Sequence, residues 1–447
     1  MRVLLVWPSN DRATLSNDLS CCEPLPLEYI AGALRGRFEV KIHDLRLDGS
    51  LEELDRIYRP DVIGLAIPYT SIIKASLQTA LAIKNIWPDV PLIVGGHHPT
   101  VSDMWLDRFP ADYIIKGEGG DAFLNLVTEL EKEMGSYKRP SVPKIIKAEP
   151  MNDLNAIARP DRTLLRHNSS KYFHSIYRPV SLMRFSAGCP YHCSFCVLWK
   201  LTDRQYFTKT IPSILAELSE IEVDNIYITD DEAFIQSKRM HELADVLQQT
   251  GVKKKYHMYL RSDTALKDRK VIEKWAEIGL DSVLVGAESF KQEDLIEYDK
   301  KTTISQTAEA VQFFHSLGIK VRANFIIKPE YDNTDFALLS ETVRRLNIDM
   351  PSYAVMTPLP GTDLHDQTLT TIQWDNPDLY DCYHTLFSTK LPLEKFYEVF
   401  ADLVAGTAYS DSRKRIGEST PMFYFTNNDA FSKMLSSLKN GALLHQE

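Results

Sequence analysis

The chain has 447 residues, of which 44% are hydrophobic and 25% charged, with a formal net charge of −10. This length allows roughly two to four domains, each with its own core. The acidic balance argues against a surface for nucleic acid or an anionic membrane. No stretch approaches the roughly 18 apolar residues of a membrane-spanning helix, and the short run Met1–Trp7 predicts a first strand, not a secretory signal.

Residues 1–132 alternate short apolar strands with amphipathic helical stretches. The predicted strands are Val3–Val6, Val40–His43, Val62–Ala66, Leu92–Val94 and Tyr113–Ile115. This alternation predicts an α/β domain, an open parallel Rossmann-like sheet with helices on both faces. Ligands of such sheets bind at the carboxyl ends of the strands.

Small and polar residues follow the last three of these strands. The residues of interest are Tyr69, Thr70 and Ser71 after the third strand, Gly95, Gly96 and His97 after the fourth, and Gly117, Glu118 and Gly119 after the fifth. Glycines at these turns let a ligand approach the backbone closely, although any parallel sheet needs small turn residues. After this domain, residues 133–180 are predicted to be a linker because four prolines, Pro140, Pro143, Pro150 and Pro160, interrupt them.

Three cysteines, Cys189, Cys193 and Cys196, have the spacing C-x3-C-x2-C. Three thiolates match a [4Fe–4S] cube in which the fourth iron has no protein ligand. A zinc site would need a fourth Cys or His nearby, and His192 is poorly placed between two candidate ligands. The other cysteines form no second metal pattern, and a reducing cytoplasm is the simplest setting.

Strand–helix alternation resumes in residues 181–366. The predicted strands are Ser181–Phe185, Asn225–Thr229, Lys255–Tyr259, Ser282–Val285, Lys320–Ile327 and Ser352–Thr357. Active sites of barrels built from such units lie at the carboxyl ends of the strands, and the cysteine segment follows the first of them. Residues 367–447 are predicted to be a mainly helical region that closes the barrel mouth.

Several polar residues lie at the ends of these later strands. Asp231 and Glu232 follow the second strand, where a carboxylate suits the ammonium of an amino acid or, alternatively, a helix N-terminus. Arg261 ends the third strand, where its charge suits a carboxylate ligand or balances the acidic turn. No G-x-G-x-x-G or P-loop pattern is present, which gives a nicotinamide dehydrogenase little support.

The C-x3-C-x2-C motif, with the aromatic Phe195 before its last cysteine, resembles that of the radical S-adenosylmethionine (SAM) enzymes. A sheet with Gly-Gly-His and Gly-Glu-Gly turns before this motif resembles the members that bind cobalamin, the class B methyltransferase type. The resemblance implies a partial (β/α)6 barrel and three cofactors: a [4Fe–4S] cluster on the three cysteines, SAM and cobalamin.

The resemblance also implies binding residues. SAM is expected to contact Phe195, Asp231, Glu232, Arg261, Glu288, Ser289 and Asn324, with Glu288 on the ribose and Asn324 on the adenosine. Cobalamin is expected at the nine turn residues of the first domain. The cobalamin motif D-x-H-x-x-G appears here as D-x-R-x-x-G, from Asp44 to Gly49, and after the second strand. Because Arg46 has no lone pair for a metal, we expect no protein histidine beneath the cobalt.

Most enzymes of this layout transfer a methyl group from SAM through methylcobalamin to an unactivated carbon. No catalytic side chain of this chain is predicted. Three stretches, Glu23–Glu28, Ile228–Ile235 and Leu386–Tyr397, look like the hopanoid C-3 methylase group, which makes a polycyclic lipid one candidate substrate. The alternatives are cyclisation, oxidation or ring rearrangement without methyl transfer, and a corrinoid or metal carrier. A flavodoxin or ferredoxin is the expected electron donor.

Overall fold

The computed structural model describes residues 1–9, 20–175, 177–408 and 428–446. The chain forms two compact units. The first unit consists mostly of Glu23–Ser169, together with the first strand and Phe207–Ile221. The second unit contains Ser170–Tyr206 and the residues from Glu222 onward. Among the helices of the described residues, none combines the length and apolar character that a membrane span requires.

The first unit is built on a six-stranded sheet. Its strands are β1 (Arg2–Trp7), β2 (Glu39–Asp44), β3 (Val62–Ala66), β4 (Leu92–Gly95), β5 (Tyr113–Lys116) and β6 (Lys144–Lys147). They are all parallel, in the order β2-β1-β3-β4-β5-β6. The helices of this region are α1 (Leu25–Leu34), α2 (Leu51–Asp55), α3 (Ile73–Ile86), α4 (His97–Val101) and α5 (Gly119–Lys132). The predicted parallel sheet is confirmed, and β3, β4 and β5 are neighbours, so their turns lie along one edge.

The second unit contains a second parallel sheet of six strands. These are β7 (Val180–Met183), β8 (Asn225–Ile228), β9 (Lys255–Leu260), β10 (Leu280–Glu288), β11 (Lys320–Ile327) and β12 (Met350–Val355), paired in sequence order. The predicted strand positions are therefore confirmed within a few residues. Burial alternates along β11, whose apolar Val321, Ala323, Phe325 and Ile327 are buried, so that Arg322 and Asn324 share the opposite face.

Helices follow the strands of this sheet, as the alternation predicts. They are α6 (Leu198–Leu201), α7 (Ile211–Leu218, part of the first unit), α8 (Ser237–Thr250), α9 (Ser262–Lys267), α10 (Arg269–Glu277), α11 (Gln292–Glu297), α12 (Ile304–Ser316), α13 (Asn333–Leu346) and α14 (Asp363–Thr368). The C-terminal region contains α15 (Leu393–Thr407) and α16 (Asn428–Lys439). The segment predicted as a linker contains β6, whose pairing with β5 extends the first sheet.

A buried charge network lies in the first unit, around Arg162. Its guanidinium is 2.6 Å from Glu23, 2.9 Å from Glu217 on α7 and 3.5 Å from Glu28 on α1. Lys209 also pairs with Glu217. Burial, and next the charge of Glu23, raise the pKa of Glu28 well above its usual value. These buried ion pairs connect three parts of the first unit: the N-terminal segment, the segment that follows β6, and α7.

We expect Arg162→Leu to destabilise the first unit by about 3–5 kcal/mol, because it leaves buried carboxylates without their cation. The matched control is Arg159→Leu, since Arg159 is 45% exposed and pairs at 2.9 Å with Glu220. An exposed pair of this kind contributes about 1 kcal/mol or less. Urea unfolding followed by circular dichroism measures both, and equal losses in the two variants would contradict the role of the network.

Candidate functional site

The cysteine loop follows β7 and leads into α6. Cys193 is buried, Cys189 and Cys196 are partly buried, and all three are free thiols. The chain enters the loop at Gly188, where φ is +91° and a Cβ atom would lie 2.1 Å from the carbonyl oxygen of Gln205. Only glycine combines that backbone conformation with so close an approach. The loop geometry is thus fixed at the residue before the first cysteine.

Backbone hydrogen bonds attach the middle of the loop to two other segments of the second unit. Ser194 donates its N–H to the Tyr298 carbonyl at 3.0 Å, and its own carbonyl accepts the N–H of Leu364 at 2.9 Å. Phe195 meets the Tyr298 ring edge-on, with 5.6 Å between centroids. The predicted SAM contact Phe195 therefore lies in an apolar cluster at the loop, with Tyr298 and Leu364 as neighbours.

His192 has carboxylate partners. Its Nδ1 is 3.2 Å from Asp299 and its Nε2 is 3.3 Å from Asp363. Trp199 packs 4.2 Å from the His192 ring and donates its indole N–H to the Cys193 carbonyl at 3.3 Å. The expectation that His192 is not a metal ligand agrees with these contacts, which use both ring nitrogens.

The three thiols differ in their electrostatic surroundings. Burial raises the pKa of Cys189 to about 11 and that of Cys196 to about 12. Burial also raises the pKa of Cys193, but Lys300 and Arg261 act in the opposite direction. Thiols of this kind are deprotonated when they bind a metal.

No group of three His, Cys, Asp or Glu residues in the described part of the chain is arranged around a single metal ion. This finding is compatible with an iron–sulfur cube, because each thiolate of a cube binds a different iron atom. The donor set of three soft sulfur ligands suits such a cluster.

Two aspartates after β8 accept hydrogen bonds from the segment that precedes the cysteine loop. Asp230 accepts the N–H of Phe185 at 2.7 Å and the hydroxyl of Ser186 at 2.5 Å, and burial raises its pKa to about 6. Asp231 accepts the N–H of Gly188 at 2.8 Å. Both carboxylates therefore help to fix the conformation of the chain that leads into the cysteine loop. Asp231 does so through a single hydrogen bond to one of its oxygens.

Glu232 differs from its two neighbours because one of its oxygens is unsatisfied. Its Oε2 accepts the backbone N–H of Arg261 at 2.7 Å. Its Oε1 is buried and has no hydrogen-bond partner among the residues that the structure describes. Burial raises the pKa of this carboxyl to about 8. A buried acceptor without a donor is costly, so a ligand ammonium would fit here.

Arg261 lies between the cysteine loop and the acidic turn. Its guanidinium pairs with Asp263 at 2.9 Å and lies 3.7 Å from the centroid of the Tyr191 ring. It donates to the Lys300 carbonyl at 2.6 Å, and its NH1 is 3.9 Å from the sulfur of Cys193. Arg261 therefore lies beside Cys193, and Asp263 already balances its charge.

Glu288 ends β10 with a positive φ of 60°, a backbone conformation that is strained for a residue other than glycine. Its Oε1 accepts a hydrogen bond from Lys300 Nζ at 2.7 Å. A Cβ atom on Gly286 would lie 2.2 Å from that oxygen and 2.6 Å from Nζ, so this ion pair requires the glycine. Ser289 donates its hydroxyl to Asp294 at 2.6 Å. Sequence reasoning missed Lys300, since it precedes another lysine in a charged segment.

Asn324 lies on β11, and its Oδ1 is buried without a hydrogen-bond partner in the described residues. Glu232 Oε1 and Asn324 Oδ1 are thus the carboxylate and amide oxygens of the second unit that are buried without a hydrogen-bond partner among the described residues. SAM carries an ammonium, ribose hydroxyls and an adenine amino group, all of which are donors. The residues present fit this ligand.

At two turns of the first unit, a glycine is required by its backbone conformation or by the packing around it. Gly96 has a φ of +134°, and a Cβ atom there would lie 2.6 Å from the Ile67 carbonyl oxygen. Gly117, with a φ of +97°, donates its N–H to the hydroxyl of Thr100 at 2.9 Å. Gly95 ends β4, Gly119 begins α5 and Glu118 precedes it. Gly96 and Gly117 are exposed, so that a bulky ligand such as a corrin could reach the backbone there.

The side chains at the same edge have different surroundings. Tyr69 is 60% exposed, and Ser71 lies in the short 3₁₀ segment that follows it. Thr70 is buried, with its hydroxyl 2.9 Å from His98 Nδ1. Burial lowers the pKa of His97, which favours a neutral imidazole. Of these predicted cobalamin contacts, Tyr69 is thus exposed, whereas Ser71 and His97 are half-buried.

Arg46 pairs with a buried carboxylate in the first unit. Its Nε and NH2 are 2.8 and 2.6 Å from the oxygens of Asp44, and its guanidinium lies 5.4 Å from the centroid of the Trp7 ring. These contacts agree with the expectation that the D-x-R-x-x-G stretch supplies no metal ligand.

Comparison with known families identifies both units. The B12 binding domain family matches residues 12–127, and the Radical SAM superfamily matches residues 183–340. The hopanoid C-3 methylase of Methylococcus capsulatus is 30% identical over 391 residues, covering 84% of this chain and 74% of that protein. The anaerobic magnesium-protoporphyrin IX monomethyl ester cyclase of Rubrivivax gelatinosus is 28% identical and covers 82% and 70%.

A solved structure has the same fold. The radical SAM methyltransferase TsrM from Kitasatospora setae, with cobalamin and a [4Fe–4S] cluster bound, superposes with a TM-score of 0.68 at 17% identity. The match covers 98% of this chain and 95% of that one. Both domain families match in the predicted order, and a methylase relative extends across them. The chain therefore belongs to the cobalamin-dependent radical SAM enzymes of the methyltransferase type, whose cofactors are cobalamin, a [4Fe–4S] cluster and SAM.

Proposed function

We propose that this enzyme transfers a methyl group from SAM, through cobalamin, to an unactivated carbon of a hopanoid-like polycyclic lipid. The observation that carries the proposal is the buried, unsatisfied Glu232 Oε1 in the unit that contains the three-cysteine loop. An ammonium bound here, such as that of SAM, would lower the pKa of the carboxyl and pair with the carboxylate that forms. The similarity to a hopanoid C-3 methylase supports the substrate class.

In this proposal, the side chains of the second unit hold the cluster and SAM. Cys189, Cys193 and Cys196 bind three irons and leave the fourth for SAM. The SAM contacts are Phe195, Asp231, Glu232, Arg261, Glu288, Ser289 and Asn324. When bound, the cluster supplies an electron, SAM a methyl group and an adenosyl radical, and cobalamin the means of carrying the methyl group. The role of this chain is to orient these groups and exclude water.

In the first unit, the corrin is proposed to lie on the turn residues named above. Tyr69, Thr70 and Ser71 follow β3, Gly95, Gly96 and His97 follow β4, and Gly117, Glu118 and Gly119 follow β5. The order of the strands supports a shared site, since β3, β4 and β5 are adjacent and parallel. The exposure of Gly96 and Gly117 supports access of a large ligand to the backbone at these turns.

An apolar substrate is supported by the surroundings of the cysteine loop. Phe387, from one of the stretches that look like the hopanoid methylase group, packs with Phe195 and Ile326 against buried Met356 and Leu364. Phe195, Ile326 and Phe387 are only partly buried, and a hydrocarbon skeleton would match these apolar side chains better than a charged molecule would. We further propose a flavodoxin- or ferredoxin-type electron donor and a cytoplasmic setting, where the cysteines stay reduced.

The alternative is a radical reaction without methyl transfer, such as cyclisation, oxidation or ring rearrangement. The similarity to the anaerobic magnesium-protoporphyrin IX monomethyl ester cyclase supports it, because that protein matches both units at 28% identity. The two activities differ in the products of SAM.

Anaerobic incubation with SAM deuterated in its methyl group, cobalamin, a reductant and a hopanoid distinguishes them by mass spectrometry. We expect a lipid carrying the deuterated methyl group, together with S-adenosylhomocysteine and 5′-deoxyadenosine. Formation of 5′-deoxyadenosine with no labelled lipid, across hopanoid and tetrapyrrole substrates, would favour the alternative. Cobalamin binding without any cleavage of SAM would favour a carrier.

A further inference from the structure

Lys300 is a buried cation in the loop between α11 and α12. Its side chain is 8% exposed, whereas that of the adjacent Lys301 is 67% exposed. The residues on either side of it, Asp299 and Lys301, have positive φ angles of 50° and 57°. Two left-handed residues in so short a segment cost free energy, so the loop is held in this shape by its surroundings.

Contacts on all sides fix the position of Lys300 next to the cysteine loop. Its Nζ donates to Glu288 at 2.7 Å, and its backbone N–H donates to the Leu295 carbonyl at 3.0 Å. Its carbonyl accepts from the Arg261 guanidinium, whose NH1 is 3.9 Å from the sulfur of Cys193. Although burial acts against the charged amine, Glu288 and Cys193 raise the pKa of Lys300, so the side chain is a cation.

The charges around the three thiols are unevenly distributed. Cys193 is influenced by the cations Lys300 and Arg261 more than by the carboxylate of Glu288, whereas Cys189 and Cys196 are influenced by the carboxylates of Asp231 and, for Cys189, Glu232. A buried charge acts over a low effective dielectric and is poorly screened by salt. The potential of an iron–sulfur cluster depends on such charges near its sulfur ligands.

We propose that Lys300 is a positioning residue that raises the reduction potential of the cluster from the Cys193 side. The proposal rests on the cluster assignment made above. On reduction, the [4Fe–4S]²⁺ cluster gains one electron from an external reductant and becomes [4Fe–4S]⁺, with no bond made or broken. The ammonium of Lys300 stabilises the added negative charge, and Glu288 keeps the ammonium in place. Lys301, being exposed, has little effect.

The test is a potentiometric titration of the full-length, anaerobically reconstituted protein without SAM, followed by electron paramagnetic resonance (EPR). We expect Lys300→Gln to shift the midpoint potential to a more negative value. Lys300→Arg, which keeps the charge, should restore the potential, and the matched control Lys301→Gln should leave it unchanged. Glu288→Gln should shift the potential in the positive direction, because it leaves the cation uncompensated.

A Lys300→Gln protein that titrates at the original potential would overturn the proposal, as would an equal shift in Lys301→Gln. If Lys300→Gln does not retain its iron, Lys300→Met, which keeps the length of the side chain without its charge, decides the matter: a more negative potential supports the proposal, and an unchanged or higher potential contradicts it. A shift seen only after SAM is added would assign Lys300 to ligand binding instead. An unaltered protein that takes up no cluster would contradict the proposed function itself.

Discussion

Replacing Cys193 with alanine is expected to abolish both the iron–sulfur cluster and the reductive cleavage of SAM. Cys193 is the most buried of the three motif cysteines, and its sulfur lies 3.9 Å from the Arg261 guanidinium. A cube with two thiolates has lost a ligand that no described neighbour can replace, since His192 is engaged by Asp299 and Asp363. Iron content, the optical spectrum and the yield of 5′-deoxyadenosine measure the effect.

The matched control for this variant is Cys21→Ala. Cys21 is another partly buried cysteine of the second unit, in the two-residue strand Ser20–Cys21. We expect the control to keep its iron and its cleavage activity, and the first unit to stay folded in both variants. Retained SAM cleavage in Cys193→Ala would show that the three-cysteine assignment is wrong.

Glu232→Gln is expected to weaken SAM binding by about 10- to 100-fold. Removal of a hydrogen bond to a charged group costs about 1.5–3 kcal/mol, and 1.4 kcal/mol corresponds to a factor of ten. The glutamine keeps the size of the side chain and an oxygen that can accept from the Arg261 backbone. Equilibrium dialysis of SAM against the cluster-loaded protein, before reduction, gives the dissociation constant.

Glu293→Gln is the matched control, because Glu293 is an exposed carboxylate on α11 of the same unit. It should bind SAM as the unaltered protein does. Asp231→Asn tests the other predicted carboxylate, whose structural bond is to the Gly188 N–H. A large loss in Asp231→Asn with unchanged binding in Glu232→Gln would assign the ammonium contact to Asp231.

Local features of the fold could be predicted from the sequence, whereas features that depend on long-range contacts could not. The strands of both sheets are buried apolar runs, such as Val62–Ala66, whose hydrophobicity alone indicates a core strand. The cysteine spacing is equally local. In contrast, β6 is short, and most of its residues are exposed, so that its pairing with β5 has no local signal. The segment Phe207–Ile221 joins the first unit through the buried pairs of Glu217, which are also long-range.

The same limit applies within the site. Asp231 and Glu232 are adjacent in sequence, and only the position of the Arg261 N–H and of the Gly188 N–H shows which oxygen remains unsatisfied. The predicted ribose contact Glu288 was identified by its motif, but its ion pair with Lys300 depends on a loop twelve residues away. Lys300 and Lys301 are indistinguishable in sequence, and the fold buries only one of them.

The central claim is that three thiolates leave one iron of a cube free for SAM. The most direct measurement is the EPR spectrum of the reduced, reconstituted protein before and after SAM is added. The account predicts a cluster signal whose shape changes on addition, since SAM becomes a ligand of the open iron. A spectrum that SAM leaves unaltered, or purified protein that holds zinc and takes up too little iron for a cube, would contradict it.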